Sequence, residues 1–299
     1  MSTVACVGIA VMDLMFRVDP LPAGGGKTYA TAYREIGGGV AANAAVAIAR
    51  LGGRARYVGR VGDDPLGERI VKELQADGVD TNAVRAVPGV VSPVSAVLVD
   101  DAGERIIVNY TPSGLFDGGE HHQAGALAGV DAVLVDVRWP DGAALALAAA
   151  SEAGIPGVFD FDRPMDARGH VLLAAASHVA FSHSALAGTA GSDDPKVGLA
   201  RVAEHTDAWL AVTMGDAGVV WRDAGSTNHL PAFPVEVIDT VGAGDVFHGA
   251  LALALAEGRP EVEAVRFASA AAALKCTRSG GRAGSPSRRD VEELLAHAT

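Results

Sequence analysis

A regular alternation of short apolar runs with Ala-rich runs constrains the fold of this chain more than any other feature. From residue 131 to residue 213, runs typical of buried strands are separated by segments of helical composition. The predicted strands are 131–136, 157–161, 178–181 and 209–213, and the predicted helices are 143–153, 167–176 and 195–205. Repeated strand–helix units predict an α/β fold with a central, mainly parallel sheet and helices on both faces.

The composition fits one large α/β domain or two small ones. The chain has 299 residues, of which 49% are hydrophobic and only 5% aromatic, and this favours closely packed helices on a sheet. Lys and Arg number 24 against 36 Asp and Glu, a formal net charge of −12, so we expect no nucleic-acid partner. The start lacks the basic residues of a signal peptide, and the Ala/Leu runs are too short to span a bilayer. We therefore expect a soluble, cytoplasmic protein without a membrane partner.

A glycine turn followed by a helix marks the first candidate site. The apolar residues at 235–238 predict a strand, Gly242 and Gly244 predict a turn, and the Ala/Leu run at 246–256 predicts a helix. Free N–H groups at a helix start bind phosphoryl oxygens, and Asp245 lies among them. A carboxylate there is suited to orienting a hydroxyl and taking its proton. Alternatively, Asp245 only caps the helix.

Two charged residues follow predicted strands. Asp13 comes shortly after the strand at 4–9, and Arg138 comes shortly after the strand at 131–136. Open parallel sheets bind ligands at the carboxyl ends of their strands, so both are candidate ligand-binding residues. A guanidinium there suits a carboxylate, a sulfonate or a phosphate. The alternatives are a turn or cap for Asp13, and an ion pair with Asp136 or Asp162 for Arg138.

Two segments interrupt the strand–helix rhythm, at about 14–36 and 91–112. The first combines prolines and glycines with short alternating runs, and the second is a hairpin with a turn at 100–104. We predict that they form a small β-sheet lid. Lys27 lies on the first segment and Asn109 on the second, where each could also be an ordinary solvated residue.

Two strings resemble signatures of the PfkB (ribokinase-like) carbohydrate kinases. Residues 239–245, Asp-Thr-Val-Gly-Ala-Gly-Asp, resemble the second signature, and residues 37–43, Gly-Gly-Gly-Val-Ala-Ala-Asn, resemble the first. The resemblance extends over about residues 4–291. It implies a single ribokinase-like kinase domain over 1–299, with the two lid segments named above.

The resemblance also implies roles for individual residues. It makes Asp245 the catalytic base, and the turn an anion hole formed by Gly242, Ala243 and Gly244. The substrate-binding positions are Asp13, Gly38, Gly39 and Asn43, and a loop with the Thr-x-Gly-x-x-Gly pattern supplies the nucleotide-binding positions Thr213, Gly215 and Gly218. Val40 replaces the lysine of ribokinases, which argues against ribose as the substrate.

The implied cofactors are ATP and Mg²⁺, and the resemblance allows a monovalent cation near the loop at 277–284. One family motif is missing. Many relatives carry Asn-x-x-Glu before the nucleotide loop, whereas this chain has Ser182 and Ala185 at those positions. We therefore predict no metal ligand from the protein, and we expect Mg²⁺ to arrive with ATP.

Within the family the chain resembles the sulfofructose kinases of sulfoquinovose breakdown. The shared runs include 4–9, 136–139, 245–251, 273–278 and 280–284. In those enzymes residues matching Lys27, Asn109 and Arg138 hold the substrate's sulfonate. The resemblance therefore implies ATP-dependent phosphorylation of the C1 hydroxyl of 6-deoxy-6-sulfofructose.

Other functions stay open at this point. The chain could phosphorylate fructose 6-phosphate, tagatose 6-phosphate or an unmodified ketohexose. More distantly, it could be a sugar-binding module without turnover, although Asp245 and its glycine turn argue against that. Relatives often pair their lids, so we expect a homodimer formed through the lid.

Overall fold

The computed structural model describes residues 1–117, 125–163, 167–223 and 225–298, and every predicted site residue lies within these ranges. The described strands are β1 (Thr3–Gly8), β2 (Val11–Arg17), β3 (Ala32–Gly38), β4 (Arg54–Gly62), β5 (Asp80–Val87), β6 (Val94–Val99), β7 (Arg105–Tyr110), β8 (Ala132–Val135), β9 (Gly157–Phe161), β10 (His178–Ser182), β11 (Trp209–Thr213), β12 (Val219–Asp223) and β13 (Ser226–Leu230). The helices are α1 (Val40–Arg50), α2 (Pro65–Ala76), α3 (Pro140–Ala153), α4 (Ala167–Ala175), α5 (His183–Ala190), α6 (Pro195–Val202), α7 (Ala243–Ala256), α8 (Glu261–Cys276) and α9 (Arg288–His297).

The central sheet confirms the predicted α/β fold. Within the described residues it has nine strands in the order β13-β12-β11-β10-β9-β8-β1-β4-β5. All neighbours are parallel except the β11–β12 and β12–β13 pairs. Helices α1, α7 and α8 contribute to the core on one face, and α3 to α6 to the core on the other. No helix in the described part of the chain is long and apolar enough to cross a membrane.

Strand order reverses at β1, which pairs with β8 on one side and β4 on the other. Ligands bind at such a point in open α/β sheets, beyond the carboxyl ends of the strands. Here Asp136, directly after β8, accepts hydrogen bonds from the backbone N–H groups of Ile9 at 2.9 Å and Ala41 at 3.2 Å. A Cβ atom at Gly8 would lie 2.1 Å from its carboxylate. Asp136 thus ties the end of β1 to the start of α1.

A second, smaller sheet has the strand order β3-β2-β6-β7. Its strands come from the two predicted lid segments, and the hairpin at 91–112 forms the antiparallel pair β6–β7. The first lid segment differs in detail, because the sheet begins at Val11 rather than near residue 14. Asp13 therefore lies within a strand of the small sheet.

The predicted strand at 235–238 is wrong. This stretch has no regular secondary structure, and Val237 and Ile238 are 61% and 64% exposed. The N–H group of Ile238 bonds to the carbonyl of Cys276 at the end of α8 instead of to a strand. Pro231 and Pro234, just before it, have no N–H group to donate to a ladder. Strands β5 and β13 and helix α5 were not predicted either.

Candidate active site

The glycine turn leads directly into α7, as predicted. Gly242 precedes the helix with φ at 78°, a left-handed conformation that favours glycine. Among the described residues no side chain caps the helix. The Ala243 N–H donates to the Thr240 carbonyl at 3.2 Å, and the other N–H groups at this helix start are the candidates for an anion. Gly242, Ala243 and Gly244 form this turn, and their role as an anion hole stays a prediction.

Helix α7 is held rigidly in the core. Every residue from Val246 to Leu255 is buried, and the helix packs against α1 and α8. Gly249 permits the close approach to α1, since a Cβ atom there would lie 2.7 Å from the carbonyl oxygen of Ala44. The first turn of α7, with Asp245, is therefore carried by a fixed element.

Asp245 has the electrostatic character of a base that works near neutral pH. The surrounding protein removes hydration from its carboxylate, and the negative charge of Asp160 adds to this, so its pKa is raised to about 7. Asn43 Nδ2 donates to Asp245 Oδ2 at 2.7 Å and opposes the shift. Efficient proton transfer needs a pKa close to the working pH, and Asp245 meets this condition.

A buried Asp–His pair lies near Asp245, and sequence reasoning missed it. His248 Nδ1 is 2.9 Å from Asp160 Oδ2, and its Nε2 is 3.1 Å from the carbonyl oxygen of Ala180. Burial alone lowers the pKa of His248, but Asp160 outweighs it and raises the pKa to about 9. The sign of this pair in the sequence was Asp160, a carboxylate within the otherwise apolar strand β9.

Asp13 and Asn43 approach the same region from different elements. Asp13 lies on β2, where Gly38 leaves room for its carboxylate, since a Cβ atom at Gly38 would be 2.2 Å from Asp13 Oδ2. Gly39 precedes α1 with φ at 98°, and its Cβ would be 2.4 Å from the Ile9 carbonyl oxygen. Asn43 Oδ1 is buried and has no hydrogen-bond partner in the part of the chain that the structure describes. A buried acceptor without a partner is suited to a substrate hydroxyl.

The small sheet aligns Asp13 with Asn109. Asp13 is directly opposite Ser95 on β6, and Ser95 is directly opposite Asn109 on β7, so the three side chains share one face. Burial raises the pKa of Asp13, while a hydrogen bond from Ser95 works against the rise. Ser95 is buried, and the sequence analysis did not single it out.

The structure does not gather the three predicted sulfonate-binding residues into one cluster. Arg138 forms an ion pair with Asp162, as the alternative interpretation anticipated. Lys27 is exposed and lies beyond the end of β2, in the connection to β3. Asn109 is also exposed. No hydrogen bond or ion pair joins these three residues, all of which the structure describes, so their shared role stays a prediction.

A cavity of about 740 Å³ lies next to the glycine turn. Thr213, Gly215 and Gly218, the predicted nucleotide-binding residues, line it together with Ala243 and Gly244. Much of its remaining wall is apolar and consists of Val219, Ala232, Phe233, Pro234, Val235, Val237, Phe247, Ala272 and Ala273. An apolar pocket that ends at a helix N-terminus suits a flat base with an attached phosphate chain.

Arg105 also lines this cavity, and sequence reasoning missed it. It lies on β7 and shares a face with Asn109, since side chains four residues apart on a strand point the same way. The small sheet therefore presents a cation to the cavity.

The position of the missing Asn-x-x-Glu motif is a helix cap. Ser182 precedes α5, and its hydroxyl accepts a hydrogen bond from the Ala185 N–H at 3.2 Å. Among the residues that the structure describes, no three His, Cys, Asp or Glu side chains are grouped so that they could hold a metal ion.

Comparison with known proteins identifies similar chains over nearly the full length. The model of the pfkB family of carbohydrate kinases matches residues 1–288. A ribokinase of Bacillus subtilis is 30% identical over 298 residues, covering 99% of this chain and 100% of its own length. A fructokinase of Klebsiella pneumoniae is 34% identical over 315 residues, covering 97% of this chain and 98% of its own.

The fold matches that of solved structures. A crystal structure of an Agrobacterium tumefaciens protein, provisionally named a ribokinase, has a TM-score of 0.94 and 40% identity, covering 99% of this chain and 97% of its own. The Arabidopsis thaliana ribokinase, solved with ribose and ATP, has a TM-score of 0.85 and 25% identity, covering 99% of both chains.

Proposed function

Since this chain belongs to the pfkB family of carbohydrate kinases, we propose that it transfers the γ-phosphoryl group of ATP to the C1 hydroxyl of 6-deoxy-6-sulfofructose. The observation that carries the reaction is Asp245, a carboxylate with a pKa of about 7 at the start of α7 and beside the predicted nucleotide cavity. The products are the sugar 1-phosphate and ADP. Because the proposed reaction consumes ATP, we propose that the protein acts in the cytoplasm.

In the proposed reaction Asp245 takes the proton of the C1 hydroxyl. The hydroxyl oxygen forms a bond to the γ-phosphorus while the bond from that phosphorus to the ADP oxygen breaks. We assign stabilisation of the charge on the transferring group to the turn of Gly242, Ala243 and Gly244, in which the Ala243 N–H also donates to the Thr240 carbonyl at 3.2 Å. Positioning plus charge stabilisation supply most of the catalysis in such transfers.

The sugar would be held opposite the nucleotide. Asp13 accepts hydrogen bonds from its hydroxyls, and the unpartnered Oδ1 of Asn43 accepts another. Because Asn43 also donates to Asp245, the same side chain would align the sugar with its base. Closure of the small sheet over the sugar would exclude water and limit wasteful ATP hydrolysis.

Mg²⁺ fits the proposed site as a partner of the ATP phosphates. When bound, Mg²⁺ would neutralise phosphate charge. Ser182 stands where many relatives have the Asn of the Asn-x-x-Glu motif, so phosphate and water would supply most of the ligands of the metal ion.

The carboxylates around Arg138 disfavour a dianionic phosphate more strongly than a singly charged sulfonate. The guanidinium is already paired with Asp162, and Asp136 and Asp160 are close enough to raise its pKa further. A dianionic phosphate would meet little net positive charge there. A sulfonate carries one negative charge and would bind through guanidinium N–H groups not used by Asp162, with Asn109 as a second donor.

Lys27 would complete this pocket through a second copy of the chain or through closure of the small sheet. It lies past Arg17, and Arg17 is about 13 Å from Asp13 along β2.

We propose a homodimer through the face of the small sheet opposite to Asp13. That face exposes Tyr33, Ile106, Val108 and Tyr110, which are 51%, 38%, 61% and 53% accessible.

The proposal is tested by ADP release from purified protein with ATP and Mg²⁺. Sugars to compare at matched concentrations are 6-deoxy-6-sulfofructose, fructose 6-phosphate, fructose and ribose. A much higher kcat/KM for the sulfonated sugar is expected, and Arg138→Ala should remove most of that preference. Equal activity with sulfonated and neutral sugars would refute the anion pocket, while no ADP release with any sugar would refute the kinase.

A neutral sugar is the second candidate. The ribokinase and fructokinase names of similar proteins favour it, and so does the ion pair that already engages Arg138. Val40 in place of the ribokinase lysine makes fructose the better neutral candidate. The same assay decides between them.

A further inference from the structure

Lys275 is a lysine whose side chain is completely buried, at the end of α8 and outside the residues used above. An ammonium group loses its hydration when buried, so oxygen atoms must replace the water. Lys275 Nζ donates to the carbonyl oxygens of Asp239 at 3.0 Å and Arg278 at 3.1 Å, and lies 3.6 Å from Asp239 Oδ2. Its three N–H groups therefore have three oxygen neighbours.

Asp239, the main partner of Lys275, is part of the chain that leads into the glycine turn. Its carboxylate accepts hydrogen bonds from the N–H groups of Val241 at 2.9 Å and Gly280 at 3.0 Å. Its own N–H group donates to the Cys276 carbonyl at 3.1 Å. No regular secondary structure supports the described chain from 231 to 242, so these contacts fix the approach to the turn.

We propose that Lys275 is a positioning residue for phosphoryl transfer. Its ammonium group serves as a built-in cation that holds Asp239, and through Asp239 it fixes the anion-binding turn at 242–244 against the end of α8. No dissolved monovalent cation is then needed at this place. This inference rests on the proposed kinase function, since it assigns the turn to the transferring phosphoryl group.

The contacts of Lys275 predict that two variants respond differently to added ammonium. Lys275→Met keeps a long side chain and removes the charge, whereas Lys275→Ala also opens space among the three oxygens. An ammonium ion carries the same kind of N–H donors as the lysine head group, so added ammonium can enter only the second variant. Misplacement of the turn should lower kcat by roughly 10- to 100-fold in both variants.

The experiment measures kcat with ATP and the best sugar in buffers of choline, potassium or ammonium chloride at equal ionic strength. We expect equal kcat for the native protein in all three salts, recovery of Lys275→Ala by ammonium or potassium, and no recovery of Lys275→Met. Lys72→Met is the matched control, because Lys72 is 73% exposed on α2, and it should behave like the native protein.

Three results would overturn the inference. They are a native-like kcat in folded Lys275→Met, an equal response of both variants to ammonium, and a native protein that is active only with added potassium. The last measurement needs no variant, so it decides even if the variants fail to fold. An inactive native protein in every salt would instead refute the proposed function.

Discussion

The pKa of Asp245 depends on its charged neighbours as much as on its position in α7. Partial burial and the negative charge of Asp160 raise the pKa of its carboxyl group, while Asn43 and His248 partly compensate. The raised pKa means that the group is partly protonated at neutral pH. Because only the ionised form can take a proton from a hydroxyl, the activity must follow the ionisation of Asp245.

The pH dependence of kcat/KM tests this assignment. Below a pKa of about 7 the rate should fall about tenfold per pH unit, since the fraction of ionised Asp245 falls in that way. Asn43→Ala removes the hydrogen bond that lowers this pKa, so the acidic limb should move to higher pH. Discontinuous or continuous assays of ADP release from pH 5 to pH 9 would show the shift of the acidic limb. An acidic limb at the same pH in both proteins would contradict the role of Asn43.

At the level of elements, the small sheet connects the two halves of the site. Strand β7 places Asn109 on the face that carries Asp13, and Arg105 about 13 Å away on the same face, where it lines the cavity. In the proposed reaction a single strand would therefore contact both the sugar and ATP. Closure of this sheet would bring a cation to the ATP phosphates and a donor to the sugar in one movement.

Arg105→Ala tests whether the strand contacts the nucleotide. Loss of a charged hydrogen bond to phosphate is expected to raise the KM for ATP by about 10- to 100-fold, with a smaller effect on the KM for the sugar. Steady-state kinetics with each substrate varied in turn measures both constants. Arg289→Ala, on an exposed arginine of α9, is the control and should leave both unchanged. An unchanged KM for ATP in Arg105→Ala would exclude the contact.

Features local in sequence could be predicted, and features made by distant segments could not. The start of α7 at Gly242 followed from glycine spacing. The family resemblance pointed to Thr213, Gly215 and Gly218, which line the cavity. The pair of Asp160 with His248 did not, because strand β9 and helix α7 meet only through the fold. The exposed stretch at 235–238 was misread, because apolar residues there suggested a strand that its backbone contacts do not form.

At the level of the whole molecule, part of one face of the small sheet lacks cover, whereas Met12 and Leu14 on the same face pack against the core. Exposed apolar side chains on β3 and β7 lie together on the face opposite to Asp13. A patch of this kind is typical of a surface that pairs with another chain. Pairing would also protect the edges of an otherwise exposed four-stranded sheet.

Val108→Asp tests the proposed homodimer. A carboxylate at the centre of the apolar face would lose its hydration on pairing, so the variant should be a monomer where the native protein is a dimer. Light scattering or sedimentation velocity measures the mass directly. Val262→Asp, on α8 and 54% exposed, should remain dimeric. A monomeric native protein, or a dimeric Val108→Asp, would contradict the proposal.

The most direct test of the account follows the phosphorus atoms by ³¹P NMR during incubation with ATP, Mg²⁺ and 6-deoxy-6-sulfofructose. The native protein should convert the ATP signals to those of ADP and a sugar phosphate coupled to the two protons of C1. Asp245→Asn should slow this conversion by about 10²- to 10⁴-fold, the usual contribution of a general base, while still binding the sugar. A phosphate on any other carbon, or native-like turnover by Asp245→Asn, would contradict the account.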